Sequence, residues 1–239
     1  MIVIVPTKRS ERIPHVVRQW RAQTYAAAEL CLCPALDMVL SIPSGVTVLP
    51  PTFTIGEARN VGLAYARGRG HTWAVFWDDD NYYGPNYLAE IARESQGPWD
   101  VLSKGLTFVR HDSGLWLYSP PLRFFPGHST SARVAACVDF PEWSLSEDVE
   151  WSRRMIAKGA RSKHLPPWGL VYDRRTPEGH AYDAGETEFL RAHGPARGPC
   201  LAADDDTDTP GAWDMPQISA EDEAVFQALE RRAARRLGL

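Results

Sequence analysis

Trp73-Ala-Val-Phe-Trp77 runs directly into Asp78-Asp79-Asp80, and this junction decides how the chain is read. Five consecutive apolar residues suit a strand buried on both faces. Three adjacent carboxylates repel one another, and stripping water from even one of them is expensive. The junction therefore predicts a strand that crosses a core and presents its acids at the carboxyl end. In open α/β sheets that edge is where ligands bind. Clustered oxygens there suit a hard divalent cation, Mg2+ or Mn2+, bridging the protein to a diphosphate. The competing reading is a solvated turn with a helix cap. A second acidic run, Asp204-Asp205-Asp206 with Asp208, follows no strand and reads as a solubilising loop.

Upstream of this junction, strand and helix signals alternate. Residues 2–5 form a β-branched apolar run that stops at Pro6. Pro14 suits the first turn of a helix that carries Ile13, Val17, Trp20 and Thr24 near one face. Val46-Thr-Val-Leu49 is a short strand closed by Pro50-Pro51. Thr54-Ile-Gly-Glu57 has the capping-box spacing and predicts a helix through Ala66 that ends at Gly68. Downstream, Gly84-Pro85 opens a helix with Tyr87, Leu88, Ile91 and Ala92, stopped by Gly97-Pro98. Such alternation predicts an α/β fold, three layers around a mostly parallel sheet.

The second half differs. Val101 to Tyr118 resembles hairpin strands more than a βαβ unit. Ser144-x-x-Glu147 is a second capping-box pattern, predicting a helix to about Lys158 with Gly159 as its stop. Arg161 to Val171 reads as a last strand. From Pro195 to Gln217 no periodicity survives, which predicts a loop, and 219–237 predicts a C-terminal helical extension. Arg231-Arg-Ala-Ala-Arg-Arg236 suits a helix C-terminus, with docking of an anionic acceptor or surface as the functional alternative.

Composition narrows the class. With 239 residues, 44% hydrophobic and 23% charged, the chain can bury a sizeable core, which excludes wholesale disorder. A net charge of −4 gives no overall basic field that would argue for nucleic acid or membrane binding. Cys31, Cys33, Cys137 and Cys200 form no C-x-x-C pair, and they read as small buried residues of a reducing cytosol. The apolar start, Met1 to Val5, is too short for a membrane span, so a cytoplasmic protein without a transmembrane segment is expected.

Several motifs together resemble the GT-A-fold nucleotide-sugar glycosyltransferases, above all the large inverting family 2, over about residues 1–175. Val3-Ile-Val-Pro-Thr-Lys-Arg9 resembles the family's opening strand, and Gly56-Glu-Ala-Arg-Asn-Val-Gly-Leu63 its helix facing the nucleotide. Phe76-Trp-Asp-Asp-Asp-Asn81 resembles its D-x-D strand end, and Asp79-Asp-Asn-x-Tyr-x-Pro85 the version found in spore-coat-polysaccharide members. Gly127-His-Ser-Thr-Ser-Ala-Arg133 resembles the segment before the acceptor site, and Ser146-Glu-Asp-Val-Glu-Trp151 the Glu-Asp motif.

The resemblance implies a single GT-A-like, Rossmann-like domain. Residues 1–98 would form the nucleotide-sugar half, 99–194 the acceptor and catalytic half, and 195–239 an extension. It implies a nucleotide site of Pro6, Thr7, Arg9, Arg59, Asn60, Asp78 and Asp79. Asp79 would face the ribose and Asp80 the metal; the alternative register uses Asp78 and Asp80. His180 would complete the metal sphere, with Asp173 and His164 behind it; on their charge alone, Lys104, Arg174 and Arg175 are candidates to neutralise diphosphate, with plain solvated basic residues as the alternative. Asp148 would be the catalytic base, a role that also suits a carboxylate kept ionised in the first turn of a helix, and Glu147 is the next candidate.

The sequence also departs from the family. The acidic turn after the second strand is missing, leaving Asp37 as the nearby base contact, and the Q-x-x-R-W motif of processive synthesis is absent. The implied partners are a nucleoside-diphosphate sugar and an acceptor that the sequence leaves open among glycan, lipid carrier, protein and nucleic acid; oligomeric state is open too. Two rival readings are a sugar-1-phosphate nucleotidyltransferase and a GT-A-like module that binds glycan or nucleotide without turnover. The first needs a glycine-rich loop after the first strand, and Pro6-Thr-Lys-Arg-Ser10 has no glycine.

Overall fold

The structure, a computed structural model, describes residues 1–38, 41–111, 114–118, 124–174 and 197–202. Strand β1 (Ile2–Thr7) leads into α1 (Ile13–Arg21), then β2 (Glu29–Pro34), β3 (Val46–Val48) and α2 (Ile55–Gly68). After β4 (Trp73–Phe76) come β5 (Tyr82–Tyr83), α3 (Tyr87–Glu94), β6 (Val101–Lys104), β7 (Thr107–His111) and β8 (Gly114–Tyr118). The remaining described elements are β9 (Thr130–Arg133), α4 (Glu147–Ala157), β10 (Ser162–Leu165), β11 (Leu170–Asp173) and β12 (Arg197–Ala202).

The main sheet runs β10-β6-β9-β4-β1-β2-β3. Its β4-β1-β2-β3 portion is parallel, as is β10 with β6, and β9 alone runs against its neighbours β4 and β6. Because β9 lies between β4 and β6, strands from both sides of residue 98 share one sheet. A second sheet, β12-β8-β7-β11-β5, stands beside it.

Strand alternation divides the core into two layers. Ile2, Ile4, Cys31, Cys33, Ala74 and Phe76 face α2 and α4, where Leu63, Ala66, Trp151 and Met155 cover them. Val3, Val5, Leu30, Leu32, Val75 and Trp77 face α1 and α3, covered by Val16, Val17, Leu88 and Ile91. This is the three-layer α/β arrangement that the alternation predicts. Gly62 lets α2 lie close on β1, since a Cβ there would stand 2.5 Å from the Ile4 side chain.

Thr54 and Glu57 form the predicted capping box: the Thr54 hydroxyl accepts from the Glu57 amide at 3.1 Å and the Glu57 carboxylate accepts from the Thr54 amide at 3.1 Å. The second predicted box does not form. Helix α4 begins at Glu147, the preceding Ser146 is left-handed and makes no cap bond, and the Glu147 side chain is drawn to Arg59 instead. Residues 161–171 hold two strands rather than one: β10 joins the main sheet, and Gly169, at φ +77°, turns the chain into β11 of the second. Within the predicted loop 195–217, residues 197–202 form edge strand β12, antiparallel to β8 with register shifts around Pro199. An edge position tolerates Gly198 and Pro199, which a central strand would not. The helix predicted over 219–237 and the acidic run at 204–208 lie outside the described residues.

Candidate functional site

The carboxyl ends of β1 and β4 lie side by side, because these strands pair in parallel from Ile2–Ala74 to Ile4–Phe76. Both chains leave the sheet at this edge, β1 through Thr7 to Arg9 and β4 through Asp78 to Asp80. The first turn of α2 and the start of α4 close the other sides of a cleft of about 370 Å³. The turn after the aspartates is clamped from α1: Gln19 Nε2 donates to the Asn81 carbonyl at 3.0 Å, and His15 Nε2 lies 3.0 Å from the same oxygen.

The three aspartates separate into two charge systems. Asp79 is buried; its carboxylate accepts from the Thr7 hydroxyl at 2.6 Å and from the Arg9 guanidinium. Arg9 Nη2 also donates to Asp80 at 2.8 Å. Asp78 instead faces Arg59, whose Nη2 stands 3.4 Å away, while Nη1 of the same guanidinium donates to Glu147 at 2.5 Å. Burial pushes the Asp78 carboxyl up to about 7, with Arg59 pulling against it and Asp80, Asp79 and Glu147 adding to the rise. Burial and the neighbouring Asp80 also raise Asp79, against Arg9 and Thr7. The two arginines are held firmly charged: burial works against them, but their carboxylate partners outweigh it.

Across the cleft, Asp148 occupies the first turn of α4. Its Oδ2 accepts from the Gly127 amide at 2.9 Å. The helix terminus does not dominate its titration: burial and then Glu147 raise the carboxyl, against Arg59 and the amides of Gly127 and Val149. Gly127 also gives Arg59 its room, because a Cβ there would stand 2.3 Å from Arg59 Nη2 and the guanidinium would have to shift.

Pro6, Thr7, Arg9, Arg59, Asp78, Asp79, Asp80, Glu147 and Asp148 thus line one cleft. Asn60 does not line it: its side-chain amide donates to the Phe140 carbonyl at 2.9 Å and its oxygen accepts from the Phe140 amide at 2.7 Å. Asp37 is exposed in a turn after β2, away from the lining residues. His164 is exposed on β10, and neither it nor Asp173 lines the cleft. Lys104 is buried against Glu90 at 2.5 Å and the Trp168 carbonyl at 2.7 Å, and Arg174 donates to the Tyr172 hydroxyl at 3.0 Å. His180 and Arg175 lie outside the described residues.

Among the described residues no group of three His, Cys, Asp or Glu side chains is arranged to hold a metal on its own. The donor chemistry still fits a hard cation, since sites of the Mg2+ kind commonly use one or two carboxylates and take the rest from substrate phosphates and water.

Sequence reading missed His128 and Tyr172, whose rings stack at 4.4 Å on the cleft wall, and the loop Ser144-Leu-Ser146. His128 lies inside a motif already noticed. Tyr172 reaches the cleft only because β11 belongs to the second sheet, which no local pattern reveals.

No protein-family model and no curated protein matches the sequence. Solved structures match the fold. The TarS 1–349 fragment of S. aureus in complex with UDP-GlcNAc aligns with a TM-score of 0.58 at 20% identity, over 77% of this chain and 60% of that one. The same fragment in complex with UDP aligns with a TM-score of 0.55 at 18% identity, over 72% and 60%. This chain therefore spans about 60% of the fragment it matches. The architecture is a GT-A-like fold. Among the described residues no helix is long and apolar enough to cross a membrane.

Proposed function

We propose that this chain is an inverting glycosyltransferase, moving a sugar from a nucleoside-diphosphate sugar to an acceptor hydroxyl with a divalent cation, Mn2+ or Mg2+, at the diphosphate. The observation that carries this reading is the division of one cleft between Asp78, Asp79, Asp80 and Arg9 at the sheet edge and Asp148 on the facing helix. The donor side comes from residues before 98 and the facing wall from residues 127–148, as a donor half and an acceptor half would require.

Each side has its own chemistry. Thr7 and Arg9 fix Asp79 for contact with a ribose. Asp80, with Asp78 or His180, would hold the cation, which supplies neutralisation of charge on the departing diphosphate. Arg9 adds a fixed positive charge at the same edge. Asp148 would take the proton of the acceptor hydroxyl as that oxygen attacks the anomeric carbon from the face opposite the leaving group. A carboxyl raised above its ordinary value is the better base near neutral pH. Glu147 is committed to Arg59, which favours Asp148 for this role.

TarS is crystallised with UDP and UDP-GlcNAc, so UDP is the first nucleotide to test. Calorimetry with UDP, GDP, ADP and dTDP, each with and without Mn2+, should find one diphosphate that binds and that needs the metal. Asp80→Asn should weaken that binding by tenfold or more, a loss of about 1.4 kcal/mol or above. Absence of binding by every nucleotide in the presence of Mn2+ would overturn the reading.

A further inference from the structure

Six large hydrophobic side chains are exposed among the described residues; Phe53 and Leu145 line the cleft, and Trp143 and Val149 each stand next in sequence to a lining residue. Phe53 is 76% exposed and Trp143 51%. Exposed apolar surface concentrated beside a polar cleft marks a contact surface rather than chance. Phe53 and Leu145 both line the cleft, and Val149 follows Asp148 on α4.

The loop that carries Trp143 and Leu145 is fastened down. The Gly56 amide donates to the Trp143 carbonyl at 2.9 Å, and the doubled Asn60–Phe140 bond anchors the preceding turn. Gly56 permits this approach, since a Cβ there would stand 1.8 Å from the Pro141 carbonyl oxygen. Along Trp143-Ser-Leu-Ser146 apolar and hydroxyl side chains alternate, and both serines line the cleft. Ser146 is the one non-glycine residue with positive φ among the described residues (φ 62°, ψ 17°), and it makes no cap bond for α4. A residue held in the left-handed region at the wall of a cleft belongs to a site more often than to a scaffold.

Resting on the transfer reading above, we infer that Phe53 and the Trp143–Ser146 loop are the seat of a neutral saccharide acceptor. A sugar ring has a C–H face that packs on aromatic and aliphatic plates, and hydroxyls that meet serines and a carboxylate together. A lipid chain would cover Phe53 and Leu145 but bury the serines and Asp148 without partners. A lipid phosphate or nucleic acid would bring its charge against Asp148, while Lys8 and Arg9 stand at the sheet edge on the donor wall. A neutral glycan suits the serines, Asp148 and the apolar side chains of this wall.

The test uses the whole chain loaded with UDP and Mn2+. Saturation-transfer NMR is run with cellobiose, lactose, maltose and N,N′-diacetylchitobiose, and with a polyprenyl phosphate in detergent micelles. At least one disaccharide should take up saturation on its ring C–H protons. Trp143→Ala and Ser146→Gly should each reduce that signal at least fivefold while leaving UDP affinity within twofold. Ser146→Gly should also keep or raise the melting temperature, since glycine accepts the left-handed backbone, so a loss of sugar binding there is not a loss of folding. The inference is overturned if no disaccharide responds, if both variants bind like the parent, if the micelles alone respond, or if Trp143→Ala dissociates a dimer. If a diphosphate other than UDP binds, the test is run with that one; failure of the parent chain to bind any of the four would overturn the donor reading itself, and the acceptor seat with it.

Discussion

Gly127 donates its amide to Asp148 at 2.9 Å while its bare Cα lies against the guanidinium of Arg59. Arg59 in turn touches Asp78 and Glu147. One glycine therefore lets a buried arginine tie the sheet-edge acids to the helix that carries Asp148. A Cβ at this position would stand 2.3 Å from Arg59 Nη2. Gly127→Ala should push the guanidinium off both carboxylates and cost about 1–3 kcal/mol, the range for overpacking a tight interior. Urea unfolding of the variant checks this, and stability within 0.3 kcal/mol of the parent, roughly the measurement's own scatter, would show that Arg59 yields freely.

Arg59→Ala removes the partner and leaves Glu147 buried with an uncompensated charge. Breaking a buried pair in this way costs about 3–5 kcal/mol, more than the intact pair contributes. Arg59 also lies 5.3 Å over the Phe140 ring, so packing is lost with the charge. Arg59→Ala with Glu147→Gln should recover part of the loss, because the stranded charge has gone. A double-mutant cycle by chemical denaturation measures the recovery, and strict additivity would show that the two groups do not interact.

Much of the sheet-edge side of the cleft was legible in the sequence, and the reason is that its signals are local. The apolar run 73–77 ending in three acids and the Thr54–Glu57 box each lie within eight residues. The facing wall depends on partners far apart along the chain. Ser144 and Glu147 have capping-box spacing, yet Glu147 is claimed by Arg59, 88 positions away, and the box is lost. Asn60 sits in a motif that the family resemblance places at the nucleotide, yet its amide holds the Phe140 turn. β12 escaped because an edge strand that carries glycine and proline has none of the pattern of a buried one.

Trp151 joins this wall to the core. Its ring stacks on Phe140 at 4.9 Å, and Nε1 donates to the Val138 carbonyl at 2.9 Å. Trp151→Ala should cost about 3–5 kcal/mol, as large aromatic truncations in cores do. Trp151→Phe should lose less, keeping the stack and giving up the hydrogen bond. Equal losses in the two, read from urea unfolding, would mean that the hydrogen bond rather than the packing matters.

At the opposite end of the sheet, Glu29 accepts from Thr47 and Tyr65 at 2.8 Å each and lies 2.9 Å from His71. Burial works against its charge, but these three bonds outweigh it and hold the carboxyl below its ordinary value. A depressed carboxyl contributes stability above the unfolded value near 4.5 and loses it as pH falls through the folded one. Stability should therefore drop between pH 5 and 3, and Glu29→Gln should remove about 1 kcal/mol of that drop. Unfolding free energies of both proteins at the two pH values check the sign; a variant that loses as much as the parent removes Glu29 from the acid response.

The base assignment makes the sharpest demand on the cleft. Asp148 is anchored by Gly127 apart from the sheet-edge acids, and no hydrogen bond joins it to Arg9 or to the aspartates at 78–80. Asp148→Asn keeps an oxygen for the Gly127 amide, so the loop and α4 should stay in place, with the melting temperature little changed. Diphosphate affinity should remain within about twofold, because the substitution leaves the donor wall intact. Transfer should fall by roughly 10²–10⁴, the usual worth of a positioned base. Calorimetry supplies the first number. Until an acceptor is identified, slow hydrolysis of a sugar of the diphosphate that binds, with water in the acceptor's place, supplies the second. In the parent the rate should rise with pH as the carboxyl ionises and then level off, and that rise should vanish in Asp148→Asn. Near-normal turnover by the variant would dismiss Asp148, leaving Glu147, freed from Arg59, as the group to test next. Lost nucleotide binding would instead mean that this carboxylate supports the donor site.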